Sequence, residues 1–163
     1  MAGVVFDSTF LIDLVNPRLG GDKRAALDFL VAELSKARTR ILIPTPCLTE
    51  LLIRAASARD HYLKLLISNT AFEIIPYDQR AATECALLLE QAWNSESQKA
   101  VTRTKFKFDW MIVACAASRN VTRLYSDDGD ILRYSTQVKI QTIKQSDLPI
   151  PLESRQMRIP DGD

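Results

Sequence analysis

The sequence contains one histidine and three scattered cysteines, and each scarcity excludes a class of function. The single histidine, His61, leaves no His-based catalytic mechanism, and its polar surroundings, ARDHYLK, predict a surface position. The odd set of Cys47, Cys85 and Cys115 has no paired spacing, which argues against a disulfide framework or a zinc site and favours buried thiols. The chain also lacks a Gly-Lys-Ser/Thr loop, which excludes a Walker-type nucleotide site.

Long apolar runs are missing as well. No stretch approaches the roughly 18–20 residues that span a membrane. The start, MAGVVFDS, has no basic region typical of a signal peptide, so we expect a cytoplasmic protein without a membrane partner. The net charge of +1 neither requires nor excludes nucleic acid, because local patches decide binding.

The length and composition predict one globular domain. The chain has 163 residues, of which 47% are hydrophobic and 25% charged, as in an ordinary soluble protein. We place the domain at residues 1–148 and a Pro-rich, polar tail at 149–163.

Short apolar strands alternate with helical segments along the chain. The predicted strands are 2–6, 40–43, 72–75, 122–125 and 138–143. The predicted helices are 8–15, 22–38, one beginning near Thr45, 60–68, 81–93 and 108–119. The polar, basic segment 94–107 is predicted to be a loop. This alternation predicts an α/β protein with a mainly parallel central sheet between two layers of helices, a three-layer α/β/α fold.

Four acidic residues stand near the expected carboxyl ends of strands or the starts of helices, where parallel α/β folds bind ligands. They are Asp7, Glu50, Asp109 and Asp128. Two carboxylates 4 Å apart repel by about 4 kcal/mol at an effective dielectric near 20. A pocket of such acids with no cation of its own therefore needs shared protons or a bound ion, and Mg²⁺ prefers oxygen ligands.

Each acid also has a purely structural interpretation. Asp7 can cap a helix, and Glu50 can pair with Arg54 on a helix surface. The segment containing Asp128, SDDGD, can be a polar turn. Asp109 begins an apolar helix, where a buried carboxylate needs a cation or the helix dipole, so function is favoured there.

Taken together, four segments resemble the PIN domain, a nuclease family that includes the VapC-type toxins of toxin–antitoxin pairs. The segments are VVFDSTFLIDL, PTPCLTELL, KFDWMIVACA and LYSDDGDIL. The motif positions of the family fall on Asp7 with Thr9, Glu50, Asp109, and Ser126 with Asp128 and Asp130.

The resemblance implies a PIN-like fold, Mg²⁺ or Mn²⁺ dependence and endonucleolytic cleavage of RNA, together with a homodimer and an inhibitory antitoxin as expected partners. Asp7, Asp109 and Asp128 are the first choice for metal ligands, and Glu50 is expected to ligate a second ion or to orient the attacking water. Bound divalent ions polarise a phosphate oxygen and activate water.

The hydroxyl groups and the remaining acids of these segments have less certain roles. Thr9 and Ser126 are expected to hydrogen-bond a phosphate oxygen or a metal-bound water. Asp127 lies beside Asp128 and, with Asp130, makes the identity of the fourth acidic ligand ambiguous.

A basic run directly precedes Asp109 and offers contacts for a nucleic-acid backbone. It consists of Lys99, Arg103, Lys105 and Lys107. Phe106 and Phe108 are interleaved with it and are expected to stack on bases. The alternative is a solvated basic loop.

Two other functions stay open. A phosphatase of another α/β type would use Asp7 as nucleophile, but Thr9 stands where a second carboxylate would favour that chemistry. A non-catalytic PIN-like module would use the fold only to bind nucleic acid or protein, and the loss of one or two acids would indicate it. None of the four acids is missing.

Overall fold

The computed structural model describes residues 3–95 and 103–156. The strands of this part are β1 (Val4–Phe6), β2 (Ile41–Pro44), β3 (Phe72–Ile75), β4 (Arg123–Tyr125) and β5 (Gln141–Ile143). The helices are α1 (Ser8–Val15), α2 (Gly21–Lys36), α3 (Thr45–Ala55), α4 (Arg59–Ser68), α5 (Gln79–Ser95), α6 (Arg103–Ser118), α7 (Gly129–Gln137) and α8 (Leu152–Gln156).

The strands form one parallel sheet in the order β3-β2-β1-β4-β5. Strand β1 lies in the centre with every residue buried, because neighbours pair with it on both sides and helices cover both faces. Strands β2 and β3 follow β1 on one side of the sheet, and β4 and β5 are then added on the other side of β1. The gap between the ends of β1 and β4 is therefore the point where the strand order reverses, and such points are the usual ligand sites of parallel sheets.

Two layers of helices enclose this sheet. Right-handed crossovers place α1 to α4 on one face and α5 to α7 on the other. The packing agrees, since α1 and α4 both contact α3, while α5 and α7 both contact α6. Helix α6 is apolar on nearly all sides, and its residues from Ile112 to Ala116 are at most 1% exposed. The three-layer parallel fold expected from the sequence is confirmed.

The local structure differs from the prediction in three places. The predicted loop at 94–107 is partly helical, because α5 continues to Ser95 and α6 begins at Arg103. Lysine and arginine are good helix formers, so the basic segment extends the buried helix by more than a turn. Residues 96–102, including Lys99, lie outside the described residues. Helix α7 was missed because Gly129 and Asp130 resemble a turn, and the strand predicted at 138–143 is reduced to β5.

Smaller expectations agree with the structure. The three cysteines are buried free thiols, and His61 is exposed on α4. None of the helices in the described ranges is long and apolar enough to cross a bilayer. In the predicted tail the chain forms α8, and residues 157–163 lie outside the described part. The domain boundary at 148 stays a prediction.

Candidate metal centre

Asp7 connects the end of β1 to the start of α1. Its backbone N–H donates to the Tyr125 carbonyl at the end of β4, 3.1 Å away, so the residue lies at the point where the strand order reverses. Its Oδ1 accepts hydrogen bonds from the backbone N–H groups of Thr9 and Phe10, at 2.9 and 3.3 Å. The helix-capping interpretation of Asp7 is thus correct, and its carboxylate is fully buried.

Two hydroxyl groups tie Asp7 to the loop after β4. The Thr9 hydroxyl donates to Asp7 Oδ1 at 2.6 Å and accepts the Asp127 N–H at 2.9 Å. The buried Ser126 hydroxyl donates to Asp7 Oδ2 and accepts the Asp128 N–H at 2.9 Å. Both hydroxyls were expected to contact substrate or metal-bound water. In the structure they instead fix the loop that carries Asp128.

Burial raises the pKa of Asp7 to about 7, even though hydrogen bonds from Ser126, Thr9 and Phe10 favour its charged form. Desolvation is the largest influence because the carboxylate has no exposed surface. Near neutral pH, Asp7 is therefore close to the midpoint of its titration.

Three other carboxylates converge beside this network. Asp109, Asp128 and Asp130 each contribute an oxygen, and the three oxygens lie within 4.8 Å of one another. Asp109 comes from the second turn of α6, and Asp128 is the N-cap of α7. The Asp128 Oδ1 accepts the N–H groups of Asp130 and Ile131 at 2.9 and 3.2 Å. We call Asp109, Asp128 and Asp130 the acidic cluster.

The amine of Lys105 lies among these acids. Its Nζ is 2.5 Å from Asp109 Oδ2, 3.0 Å from Asp130 Oδ2 and 3.4 Å from Asp128 Oδ2. The expectation of a pocket without a cation of its own was therefore wrong. Lys105 and Asp109 are four residues apart on α6, a spacing that brings opposite charges together on one helix face. Lys105 was predicted to bind the substrate backbone, but here it pairs with the acids.

Asp109 and Lys105 influence each other's pKa. Burial raises the pKa of Asp109 to about 6, while the hydrogen bond and charge of Lys105 act against that rise. Partial burial alone would lower the pKa of Lys105, but hydrogen bonds to Asp109 and Asp130 outweigh it and raise the pKa. Arg133 adds a second positive charge, 3.2 Å from Asp130 Oδ1.

Glu50 lies on α3, half-buried, and is not part of the acidic cluster. Both Glu50 and Asp7 help raise the pKa of the buried Cys47 thiol, although desolvation is the main cause, so both charges lie near this thiol. Among the described residues, Glu50 forms no ion pair with Arg54, so the surface-pair interpretation is not realised.

The sequence left open whether Asp127 or Asp130 is a further acidic ligand, and the structure places the two residues differently. Asp127 is exposed, and its Oδ1 accepts the backbone N–H of Gln145 at 2.9 Å. It lines a groove of about 340 Å³ that also contains Lys23 and Leu148. Asp130, by contrast, belongs to the acidic cluster.

The helical path of α6 divides the basic run between two faces. The guanidinium of Arg103 lies 4.8 Å from the Trp93 ring centre, and these two residues line a second groove together with the exposed Lys107. Lys105 instead points to the acids. Phe106 is only 5% exposed and makes edge contacts with Trp93, so the expectation that it stacks on bases was wrong. Phe108 is half-buried against the core.

The sequence interpretation missed Lys105 and Arg133 as partners of the acids. The spacing of Lys105 and Asp109 would have indicated the first pair if α6 had been extended toward its N-terminus. Recognising α7 would have placed Asp130 and Arg133 on one helix face, since they are three residues apart.

The acidic cluster fits a hard divalent cation. Its donors are all carboxylate oxygens, the ligand type preferred by Mg²⁺, and two of the acids are partly open to solvent, with 28% and 26% of the Asp128 and Asp130 side chains exposed. A cationic group already stands among the three acids, which indicates that the site favours positive charge.

A parallel α/β sheet with an acidic centre at the reversal of its strand order defines a class of ligand-binding fold. The sequence matches the PIN domain over residues 4–136. The chain therefore belongs to the PIN domain family, as its motifs predicted. Among curated proteins, none is similar enough in sequence to count as a match.

Solved structures with the same fold include three toxin–antitoxin proteins. VapBC2 from Rickettsia felis, bound to promoter DNA, has a TM-score of 0.60 at 16% identity, over 86% of this chain and 97% of that one. DNA-bound VapBC from Salmonella typhimurium has a TM-score of 0.57 at 17% identity, over 89% and 99%. VapC20 of Mycobacterium tuberculosis, a toxin that cleaves the sarcin-ricin loop, has a TM-score of 0.52 at 15% identity, over 80% and 94%.

Proposed function

We propose that this protein is a Mg²⁺- or Mn²⁺-dependent endoribonuclease whose acidic cluster is the centre of the active site. The observation that carries the proposal is the convergence of Asp109, Asp128 and Asp130 within 4.8 Å at the strand-order reversal of a PIN domain. Carboxylates so close together are costly without positive charge, and a divalent ion with a phosphodiester supplies a chemical reason for them.

Asp109 and Asp128 are the proposed principal metal ligands, with Asp130 as the third. Asp109 is 4% exposed and is held by the rigid core helix α6. Asp128 caps helix α7 through its Oδ1, which accepts two backbone N–H groups. Its Oδ2 is not used by the cap and faces the Lys105 amine. A bound Mg²⁺ would supply charge neutralisation at the scissile phosphate and a more acidic water.

The proposed role of Asp7 is mainly to position the loop that carries Asp128. Through the Ser126 hydroxyl it reaches the backbone N–H of Asp128, and through Thr9 it reaches that of Asp127. Its pKa near 7 also allows it to hold or release a proton at neutral pH. Direct ligation by Asp7, and a role for Glu50 in orienting water or holding a second ion, stay proposals.

RNA is the proposed substrate because one structural relative, VapC20, is a toxin that cleaves the sarcin-ricin loop. The exposed Lys107 and the nearby Arg103 give α6 a basic face that lines the groove containing Trp93. Such a face suits a phosphate backbone, because neutralising phosphates releases counterions.

The test is cleavage of labelled RNA and DNA strands of the same sequence by purified protein with Mg²⁺ or Mn²⁺. We expect RNA to be cut and EDTA to stop the reaction. The Asp109→Asn variant, purified in parallel by the same procedure, should be inactive. Cleavage that persists in EDTA or in Asp109→Asn would refute the proposal.

A second function has one observation in its favour. Lys105 already supplies the acidic cluster with one positive charge from the chain itself, as expected of a PIN-like module that binds without catalysis. RNA binding without cleavage across several divalent metals would support this alternative, and metal-dependent cleavage would exclude it.

We also propose an antitoxin partner, a homodimer and a cytoplasmic location. The support for an antitoxin is that several structural relatives are VapBC complexes. Light scattering after size-exclusion chromatography tests the homodimer, and inhibition of RNA cleavage by a co-purified antitoxin tests the partner.

A further inference from the structure

The position of Lys105 relative to the acidic cluster suggests a role beyond structure. Its amine lies within 3.4 Å of all three acids and contacts the Oδ2 atom of each. A divalent ion binding the same oxygens would need the space that this amine now fills. Two cations also repel strongly at such separations. The amine and the metal cannot both occupy the cluster.

We propose that Lys105 is a built-in competitor of the metal, so that metal loading is an exchange in which the lysine amine leaves the acidic cluster. This inference rests on the proposed function, because it assumes that the cluster binds a divalent cation. It makes Lys105 a residue that sets the metal concentration at which the enzyme becomes active.

The exchange is sterically simple. The Lys105 side chain is 45% exposed and lies in the first turn of α6, so its flexible stem can swing into solvent while the helix stays in place. Its main partner, Asp109, is held in the core and has only 6% of its side chain exposed. The carboxylates therefore remain in position for the incoming ion, and only the lysine moves.

The chain offers a matched control for this idea. Lys107 is two residues along the same helix, is exposed, and forms no ion pair with the acids among the described residues. Lys107→Met removes the same charge from the same helix without opening the cluster. Lys105→Arg keeps a cation that can reach the acids, while Lys105→Met removes it.

The experiment is calorimetric titration of Mn²⁺ into wild type, Lys105→Met, Lys105→Arg and Lys107→Met. Hydrogen bonds to charged groups are worth enough that Lys105→Met should bind Mn²⁺ about 10- to 100-fold more tightly than wild type. Lys105→Arg and Lys107→Met should stay within about threefold of wild type, a difference of well under 1 kcal/mol.

Melting curves provide a second readout that does not depend on activity. Without metal, Lys105→Met should melt below wild type because three carboxylates lose their shared cation. With saturating Mn²⁺ the difference should shrink, so the metal-induced rise in melting temperature is larger in Lys105→Met. Lys107→Met should respond to Mn²⁺ as wild type does.

Each other outcome overturns the inference in a recognisable way. If wild type binds Mn²⁺ and Lys105→Met binds it equally or more weakly, competition is refuted while the metal site stands. If Lys107→Met tightens binding as much as Lys105→Met, long-range charge is responsible. If neither wild type nor any variant binds Mn²⁺, the proposed metal site fails and the inference fails with it.

Discussion

Asp7 and the acidic cluster lie at the same edge of the sheet, yet the fold accommodates their charges by different means. Asp7 is fully buried among hydrogen-bond donors, and no cation is bonded to it among the described residues. Its charged form is costly, which explains a pKa raised to about 7 by burial. The acidic cluster is more open, and Lys105 and Arg133 offset part of its negative charge.

The difference indicates that Asp7 and the acidic cluster have different roles. A carboxylate satisfied by two hydroxyls and two backbone N–H groups is rigid and suited to positioning its neighbours. Carboxylates paired with a half-exposed lysine can exchange that amine for another cation. Variants of Asp109, Asp7 and Ser126 distinguish these two roles.

Removing charge from the acidic cluster should abolish catalysis. Asp109→Asn is expected to lower RNA cleavage more than about 100-fold, because loss of a supporting group alone costs 10- to 100-fold at metal sites. The control is Asp127→Asn, which changes the acid next to Asp128 in the chain, whose Oδ1 accepts the backbone N–H of Gln145. The measurement is the single-turnover rate at saturating Mn²⁺. Equal losses in both variants would remove the distinction between these acids.

Neutralising Asp7 should change the pH dependence of stability. A carboxyl whose folded pKa is raised from 3.8 to about 7 destabilises the protein increasingly as pH rises from about 4 through 7. From Asp7 alone, the metal-free protein should be about 2 kcal/mol less stable near pH 8 than near pH 5.5. Asp7→Asn should remove most of this difference.

The measurement is urea unfolding of the metal-free protein across that pH range. Asp109 contributes a smaller trend of the same sign, because burial raises its pKa only to about 6. A wild-type protein whose stability rises steadily with pH would contradict the assignment of a raised pKa to Asp7.

Breaking the hydroxyl link between Asp7 and the loop should lower the free energy of unfolding by a similar amount. Ser126→Ala leaves Asp7 Oδ2 and the Asp128 N–H without their shared partner and is expected to destabilise the protein by about 1–3 kcal/mol. Ser135→Ala is the control, since the Ser135 hydroxyl is buried without a hydrogen-bond partner among the described residues. Urea unfolding measures the free energy of unfolding of both variants. A similar loss in both would mean that the Ser126 hydroxyl link contributes no stability of its own.

The smallest effect concerns the basic face of α6. Lys107→Met should weaken RNA binding and reduce the salt dependence of the binding constant by about 0.7 in slope for a single strand. Lys139→Met, just before β5 at the opposite edge of the sheet, should leave the slope unchanged. Fluorescence anisotropy at several salt concentrations measures both, and a slope unchanged in Lys107→Met would remove this residue from the RNA-binding surface.

Much of the fold could be predicted because short apolar strands and long amphipathic helices carry a strong local signal. The strand 72–75 and the helix 8–15 have the predicted bounds. Parallel pairing then places Asp7 and Asp128 at one edge, since each follows a strand that ends there. Helix α7 could not be predicted in this way, because Gly129 has a low intrinsic helix propensity and Asp128 acts through capping.

The composition of the site depended on details that the sequence does not encode locally. The cluster contains Asp130 in the place expected for Asp7, because side-chain directions at helix starts decide which oxygens meet. Lys105 joins the acids only when α6 begins at Arg103, and helix ends are the least certain part of any sequence-based prediction.

A crystal structure of the protein soaked in Mn²⁺, with anomalous scattering recorded to locate the metal, tests the central claim most directly. We predict a metal peak at the acidic cluster, in contact with the carboxylates of Asp109 and Asp128, and a Lys105 side chain turned away toward solvent. A saturated crystal with no peak at the cluster and the Lys105 amine still bonded to Asp109 would contradict the account.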